Sequence, residues 1–84
     1  WRFNDQVKKV SIAKILRIQV LSPAVIYWSF DDWANTTHIE TLNIGLPFYF
    51  NDFALPENVS KIVFTFFWKE VNKWEGENFE IEIE

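Results

Sequence analysis

The chain has 84 residues, a net charge of −4 and no cysteine, so it is short, acidic and free of disulfides. A chain of this length forms one domain and buries only about 60% of its unfolded surface, so every apolar strand has to contribute to one core. The acidic balance argues against nucleic-acid and anionic membrane partners, because both are bound through Lys and Arg.

The sequence has no basic segment followed by an apolar one, which a signal peptide requires, and no apolar run approaches the roughly 20 residues of a transmembrane helix. Because the chain begins at Trp1 without Met, we expect it to be a piece of a longer protein. The absence of cysteine leaves the compartment open.

Apolar residues alternate with a period of two along nearly the whole chain, which predicts an all-β fold. Residues 7–12 resemble a short edge strand. The strands 14–21 and 24–30 are separated only by Ser22 and Pro23, so we expect them to pair as a hairpin. Further strands are expected over residues 39–44, 46–53, the first half of 61–78, and 79–84.

The two faces of each predicted strand indicate what is buried. The strand over residues 24–30 is apolar on both faces and is therefore expected at the centre of a sheet. Pro47 limits its strand to an edge or to a start after a bulge. The side chains expected to face inward on the later strands are Ile62, Phe64, Phe66, Trp68, Phe79, Ile81 and Ile83.

Six to eight short strands with turn signals every 8 to 12 residues are typical of an antiparallel β-sandwich of immunoglobulin-like topology. A small closed barrel is the alternative, because periodicity does not determine which strands pair. We expect one β-sandwich domain over residues 1–84.

Catalytic and metal sites find little support in the sequence. His38 is the only histidine, it falls in a polar stretch predicted to be a loop, and no ligand spacing typical of zinc or calcium surrounds it. Asp31 and Asp32 are adjacent carboxylates in that loop, where solvated turn residues are the usual role. With two glycines there is no phosphate-binding loop. We therefore predict no catalytic residue, no metal and no cofactor.

The aromatic content, 19% of the residues, exceeds what a core of this size needs, so some rings are expected at the surface. Trp28 and Trp68 have the inward parity of their strands. Trp33 and Trp74 instead lie in polar stretches predicted to be loops, where an indole either caps one end of the core or stacks on the apolar face of a sugar ring. Glu75 and Asn78 would then supply hydrogen bonds to the sugar hydroxyls.

Two segments resemble a known family. ALPENVSKIVFTFFWKEVNKWEGEN, residues 54–78, is similar to the latter half of starch-binding modules of carbohydrate-binding module family 20, and WSFDDW, residues 28–33, resembles the region that supplies the other stacking tryptophan. More specifically, residues 16–84 resemble the small β-sandwich domain appended to bacterial glucoamylase-like enzymes of glycoside hydrolase family 15. The resemblance implies that Trp33 and Trp74 stack against glucosyl units and that Glu75 and Asn78 hydrogen-bond to them.

The resemblance thus implies a noncatalytic starch- or α-glucan-binding accessory module, excised from a larger multidomain glycoside hydrolase. Its expected partners are malto-oligosaccharide and the catalytic domain of the parent chain. A parent enzyme that degrades polymers would fit the exterior or the periplasm, and cytoplasmic glucan metabolism fits equally well. The alternative is a structural immunoglobulin-like domain that packs against the catalytic domain and binds no sugar.

Overall fold

The computed structural model describes residues 1–3, 5–10 and 15–83, which form eight strands joined by turns and loops. The strands are β1 (Lys9–Val10), β2 (Ile15–Val20), β3 (Ala24–Ser29), β4 (Thr37–Glu40), β5 (Tyr49–Ala54), β6 (Lys61–Trp68), β7 (Lys73–Trp74) and β8 (Phe79–Ile83). The prediction of an all-β chain is confirmed. Within the described part of the chain, no helix is long and apolar enough to cross a bilayer.

The strands form two sheets. The larger sheet has the order β1-β8-β6-β3-β4, and β7 pairs with the last residues of β6 on the side that β8 occupies further along. The smaller sheet consists of β2 and β5. All pairs are antiparallel except β1 with β8, which run parallel. The structure is therefore a two-layer, sandwich-like arrangement of mostly antiparallel strands.

One hydrophobic core lies between the two sheets, because alternate residues of each strand point toward it. The smaller sheet contributes Leu16, Ile18, Val20 and Phe53, and the larger sheet contributes Ala24, Ile26, Ile62, Phe64, Phe66, Phe79 and Ile81. The predicted inward faces of β6 and β8 are confirmed. Trp28 and Trp68 also pack against this core, although each remains half-buried.

The first three residues complete the core beside β2. The backbone N–H of Gln19 donates to the carbonyl of Trp1 at 2.8 Å, and that of Phe3 donates to the carbonyl of Gln19 at 3.2 Å. Trp1 meets Phe64 edge-on, with 5.1 Å between ring centroids, and Phe3 meets Phe66 at 6.2 Å. The alternation of two aromatic residues at positions 1 and 3 is the only trace of this role in the sequence.

The predicted hairpin between residues 14–21 and 24–30 is wrong. β2 pairs with β5 in the smaller sheet, whereas β3 pairs with β4 and β6 in the larger one. Ser22 and Pro23 carry the chain from one layer to the other. A two-residue hairpin requires positive φ angles or glycine in its loop, and proline cannot adopt a positive φ.

Strand bounds also differ from the prediction. The strand expected over 46–53 is β5, Tyr49–Ala54, which begins after Pro47. The edge strand expected over residues 7–12 is β1, Lys9–Val10, and residues 11 and 12 lie outside the described residues, as do residues 14 and 84. The strand expected over 39–44 is β4, Thr37–Glu40, so His38 lies in a strand and not in a loop. Of the following residues, Leu42 forms an isolated bridge with Phe50.

Candidate functional site

Trp74 lies on the outer face of the larger sheet, in β7 and not in a turn as predicted. The chain reverses after β6 through residues 69–72, and the returning strand pairs Trp74 with Phe67. Phe67 points away from the core because its neighbour Phe66 points into it. The Trp74 ring is 55% exposed. It contacts the rings of Tyr27 and Phe67 at centroid distances of 4.8 and 5.1 Å.

Trp33 is positioned by the loop that follows β3. The Ser29 hydroxyl, only 2% exposed as a residue, accepts hydrogen bonds from the backbone N–H groups of Asp31 at 3.1 Å and Trp33 at 3.0 Å, and donates to Asp31 Oδ1 at 2.5 Å. These bonds hold Asp32 and Trp33 at φ angles of 57° and 71°. Such left-handed conformations are unfavourable for side chains with a Cβ, so this loop has a specified shape.

Asp31 is the hub of this loop. Its carboxylate accepts from the side-chain and backbone N–H groups of Asn35, at 2.6 and 2.9 Å, besides the bond from Ser29. The hydrogen bonds from Asn35 first, and from Ser29 second, lower the pKa of Asp31 from 3.8 to about 2. Asp31 is therefore ionised at neutral pH and stabilises the loop, and it is not a candidate general acid.

The two indoles come together around one shallow depression of about 290 Å³ on the outer face of the larger sheet. Trp33 borders it from the loop and Trp74 from β7. The remaining lining residues are Tyr27, Thr36, Thr65 and Asn78. The lining therefore combines aromatic rings with hydroxyl and amide groups, in a site that is open to solvent.

Asn78 reaches the depression because the chain leaves the sheet between β7 and β8. Gly76 adopts a φ of 79° there, and the carbonyl of Glu77 accepts a hydrogen bond from Thr65 Oγ1 at 2.7 Å. The exposed Asn78 side chain then lies beside Thr65 and Trp74. Three of the four predicted site residues, Trp33, Trp74 and Asn78, thus line one surface.

Glu75 is the predicted site residue that the structure places elsewhere. It follows Trp74 directly and therefore points to the opposite side of the strand. Its Oε2 accepts a hydrogen bond from Trp68 Nε1 at 2.7 Å, at an apolar groove of about 480 Å³. Phe3, Leu21 and Val71 line this groove as well. The carboxylate is thus engaged by an indole on the core side of the sheet, away from the depression.

Tyr27 lines the depression and His38 stacks on it, and the sequence predicts neither role. Tyr27 lies on the central strand β3 with its side chain outward, between two other rings. Its cross-strand partner His38 stacks on it at 5.1 Å and 28°, and Trp74 contacts it from the other side. The available signal was a tyrosine at the outward parity of a strand predicted to be central. Tyr27 thus supports Trp74 through this ring contact and itself lines the depression.

Chemically, this surface can bind a ligand that has a flat apolar face and polar edges. Among the described residues, no three His, Asp or Glu side chains gather into a group that could hold a metal ion. No protein-family model, no curated protein and no solved structure matches the chain.

Proposed function

We propose that the chain is a noncatalytic accessory module that binds starch-like α-glucans through Trp33 and Trp74. The observation that carries the proposal is that these two indoles, from distant parts of the sequence, border the same depression together with Asn78. A pyranose offers an apolar C–H face to an aromatic ring and hydroxyl groups to amide and hydroxyl partners. Thr36, Thr65 and Asn78 supply those partners.

The openness of the site fits a polymeric ligand. A glucan chain can cross a shallow depression without an end having to enter it, whereas a small ligand usually binds in a concave pocket that covers most of its surface. Few contacts and exposed rings predict weak binding. Weak binding is sufficient for an accessory module, because tethering to a catalytic domain in the same chain raises the local concentration of substrate.

The strand order supports an immunoglobulin-like assignment within this proposal. β3, β6 and β8 are neighbours in the larger sheet, as strands C, F and G are in that fold, and β4 extends this sheet in the position of C′. β2 and β5 pair as strands B and E do. A module of this kind would present the Trp33 and Trp74 surface on its C, F and G sheet.

Affinity electrophoresis in soluble starch and calorimetric titration with maltoheptaose test the proposal. We expect retardation of the unsubstituted protein and a loss of at least about tenfold in affinity for Trp33→Ala and for Trp74→Ala, since a few aromatic residues carry most of the binding energy of a small site. Val71→Ala is the matched control, because Val71 is 61% exposed but lies outside the depression. The proposal would be refuted if starch did not retard the protein and millimolar maltoheptaose did not bind. It would also be refuted if Trp33→Ala and Trp74→Ala both kept the affinity of the unsubstituted protein.

A second candidate function is a structural domain that docks on the catalytic domain without binding sugar. The apolar groove bordered by Phe3, Leu21, Trp68 and Val71 favours this candidate, because Leu21 is 70% exposed there and would be covered by the apolar surface of a neighbouring domain. In that case the domain would not bind maltoheptaose in the calorimetric titration, and Leu21→Asp would weaken its contact with the catalytic domain.

A further inference from the structure

The position of Trp74 depends on a very short strand. β7 has two residues, and its pairing with β6 joins only Phe67 to Trp74 and Trp68 to Lys73. The segment before it is a turn and the segment after it leaves the sheet. Backbone pairing alone gives such a short strand little resistance to local opening. Additional contacts are needed to keep an exposed indole in a fixed place.

Glu75 supplies contacts of this kind from the other side of the strand. Its backbone N–H donates to the carbonyl of Phe66 at 2.9 Å, and its carboxylate accepts from Trp68 Nε1 at 2.7 Å. Trp68 is itself fixed, because its ring stacks on Phe66 at 5.2 Å and 22° and meets Phe3 edge-on at 5.7 Å. Glu75 therefore ties the end of β7 to the hydrophobic core.

We infer that Glu75 is a positioning residue for the glucan site: the Glu75–Trp68 hydrogen bond holds β7 so that Trp74 and Asn78 face the ligand. This inference rests on the proposed function, and it replaces the direct sugar contact expected for Glu75 from the sequence. The alternating direction of side chains along a strand explains it, because a residue that follows an outward Trp74 points inward. Supporting residues that lock the ligand-contacting ones are a general requirement of binding sites.

Glu75→Gln and Glu75→Met form a matched pair for the test. Gln keeps an oxygen that accepts from the Trp68 indole, whereas Met has a similar length, suits the apolar groove and lacks a strong acceptor. Glu70→Met is the control, since Glu70 is an exposed carboxylate that lines the same groove. Maltoheptaose affinity should fall about three- to tenfold in Glu75→Met and stay at the parent value in Glu75→Gln and Glu70→Met.

A double-mutant cycle with Trp68→Phe separates positioning from direct contact. Phe keeps an aromatic ring in the groove but has no N–H to donate, so the variant should lose affinity to a similar extent as Glu75→Met. In the Trp68→Phe background, Glu75→Met should then cause no further loss. A further threefold or greater loss in that background would show that Glu75 contacts the sugar itself, and would overturn the inference.

Hydrogen exchange at the Glu75 amide gives a readout that needs no ligand. Exchange should accelerate in Glu75→Met and Trp68→Phe and remain slow in Glu75→Gln, because the amide is bonded to Phe66 only while β7 stays in place. Unchanged exchange in Glu75→Met would refute the positioning role even if the protein binds no sugar. If the proposed function is wrong, the unsubstituted protein will not bind maltoheptaose, and this result is independent of the exchange measurement.

Discussion

Replacing Ser29 by Ala should unfold the loop that presents Trp33, and should destabilise the whole domain. The hydroxyl is buried, accepts from the backbone N–H groups of Asp31 and Trp33, and donates to the exposed Asp31 carboxylate, which can bond water in its place. Without it, two donors in a loop of unfavourable φ angles lose their partner. Each such bond contributes about 1 kcal/mol, so the free energy of unfolding should fall by about 2 kcal/mol.

Equilibrium urea unfolding, followed by tryptophan fluorescence, measures this change. We expect a lower midpoint with an unchanged m-value, and a decrease in Tm of about 8–16 °C for a domain of this size. Ser60→Ala is the control, because its exposed side chain should contribute less than about 0.5 kcal/mol. A Ser29→Ala variant whose free energy of unfolding lies within about 0.5 kcal/mol of the parent would refute this account of the loop.

Three further predictions concern stability. The hydrogen bonds from Asn35 and Ser29 lower the pKa of Asp31 from 3.8 to about 2, so its carboxylate stabilises the fold above about pH 4. This contribution is lost as the pH falls toward 2, so the Tm of the unsubstituted protein should drop more steeply across that range than the Tm of Asp31→Asn. Ile26→Val, at a fully buried core position, should cost about 0.5–1.5 kcal/mol in urea unfolding, and no measurable cost would contradict its place in the core. Gly76→Ala should lower the free energy of unfolding by about 1–2 kcal/mol. The cause is the φ of 79° alone, because an added Cβ would meet open space. A neutral or stabilising effect in thermal unfolding would contradict that conformation.

The strands of this fold follow from the sequence more readily than their partners do. In β8, Phe79 and Ile81 alternate with glutamates, and that pattern determines both the element and its buried face. Pairing is different, because Leu16 and Ile18 would bury equally well in either layer. β2 lies beside β5, where Arg17 donates two hydrogen bonds to the carboxylate of its cross-strand partner Asp52, at 2.7 and 3.0 Å, and a single pair of this kind leaves no periodic signal.

In the candidate site, too, the sequence identifies some residues, whereas the position of others depends on strand pairing. Trp33 and Trp74 stand out because indoles in polar segments need an explanation, and the structure brings them to one surface with Asn78. The sequence predicts Glu75 at that surface beside Trp74, but Glu75 directly follows β7 and its backbone still bonds to Phe66, so its side chain points opposite to that of Trp74. The outward parity of Tyr27 in a strand predicted to be central indicates an exposed ring but not which neighbours it meets, because Trp74 reaches it only through the pairing of β7 with β6.

The most direct test of the central claim uses the indole N–H signals of the five tryptophans in a two-dimensional nitrogen–proton NMR spectrum. Titration with maltoheptaose should shift the signals of Trp33 and Trp74, which border the depression. Those of Trp1, Trp28 and Trp68, which pack against the core, should keep their positions. Shifts confined to Trp68, or no shift of any indole at millimolar maltoheptaose, would contradict the proposal that this surface binds α-glucan.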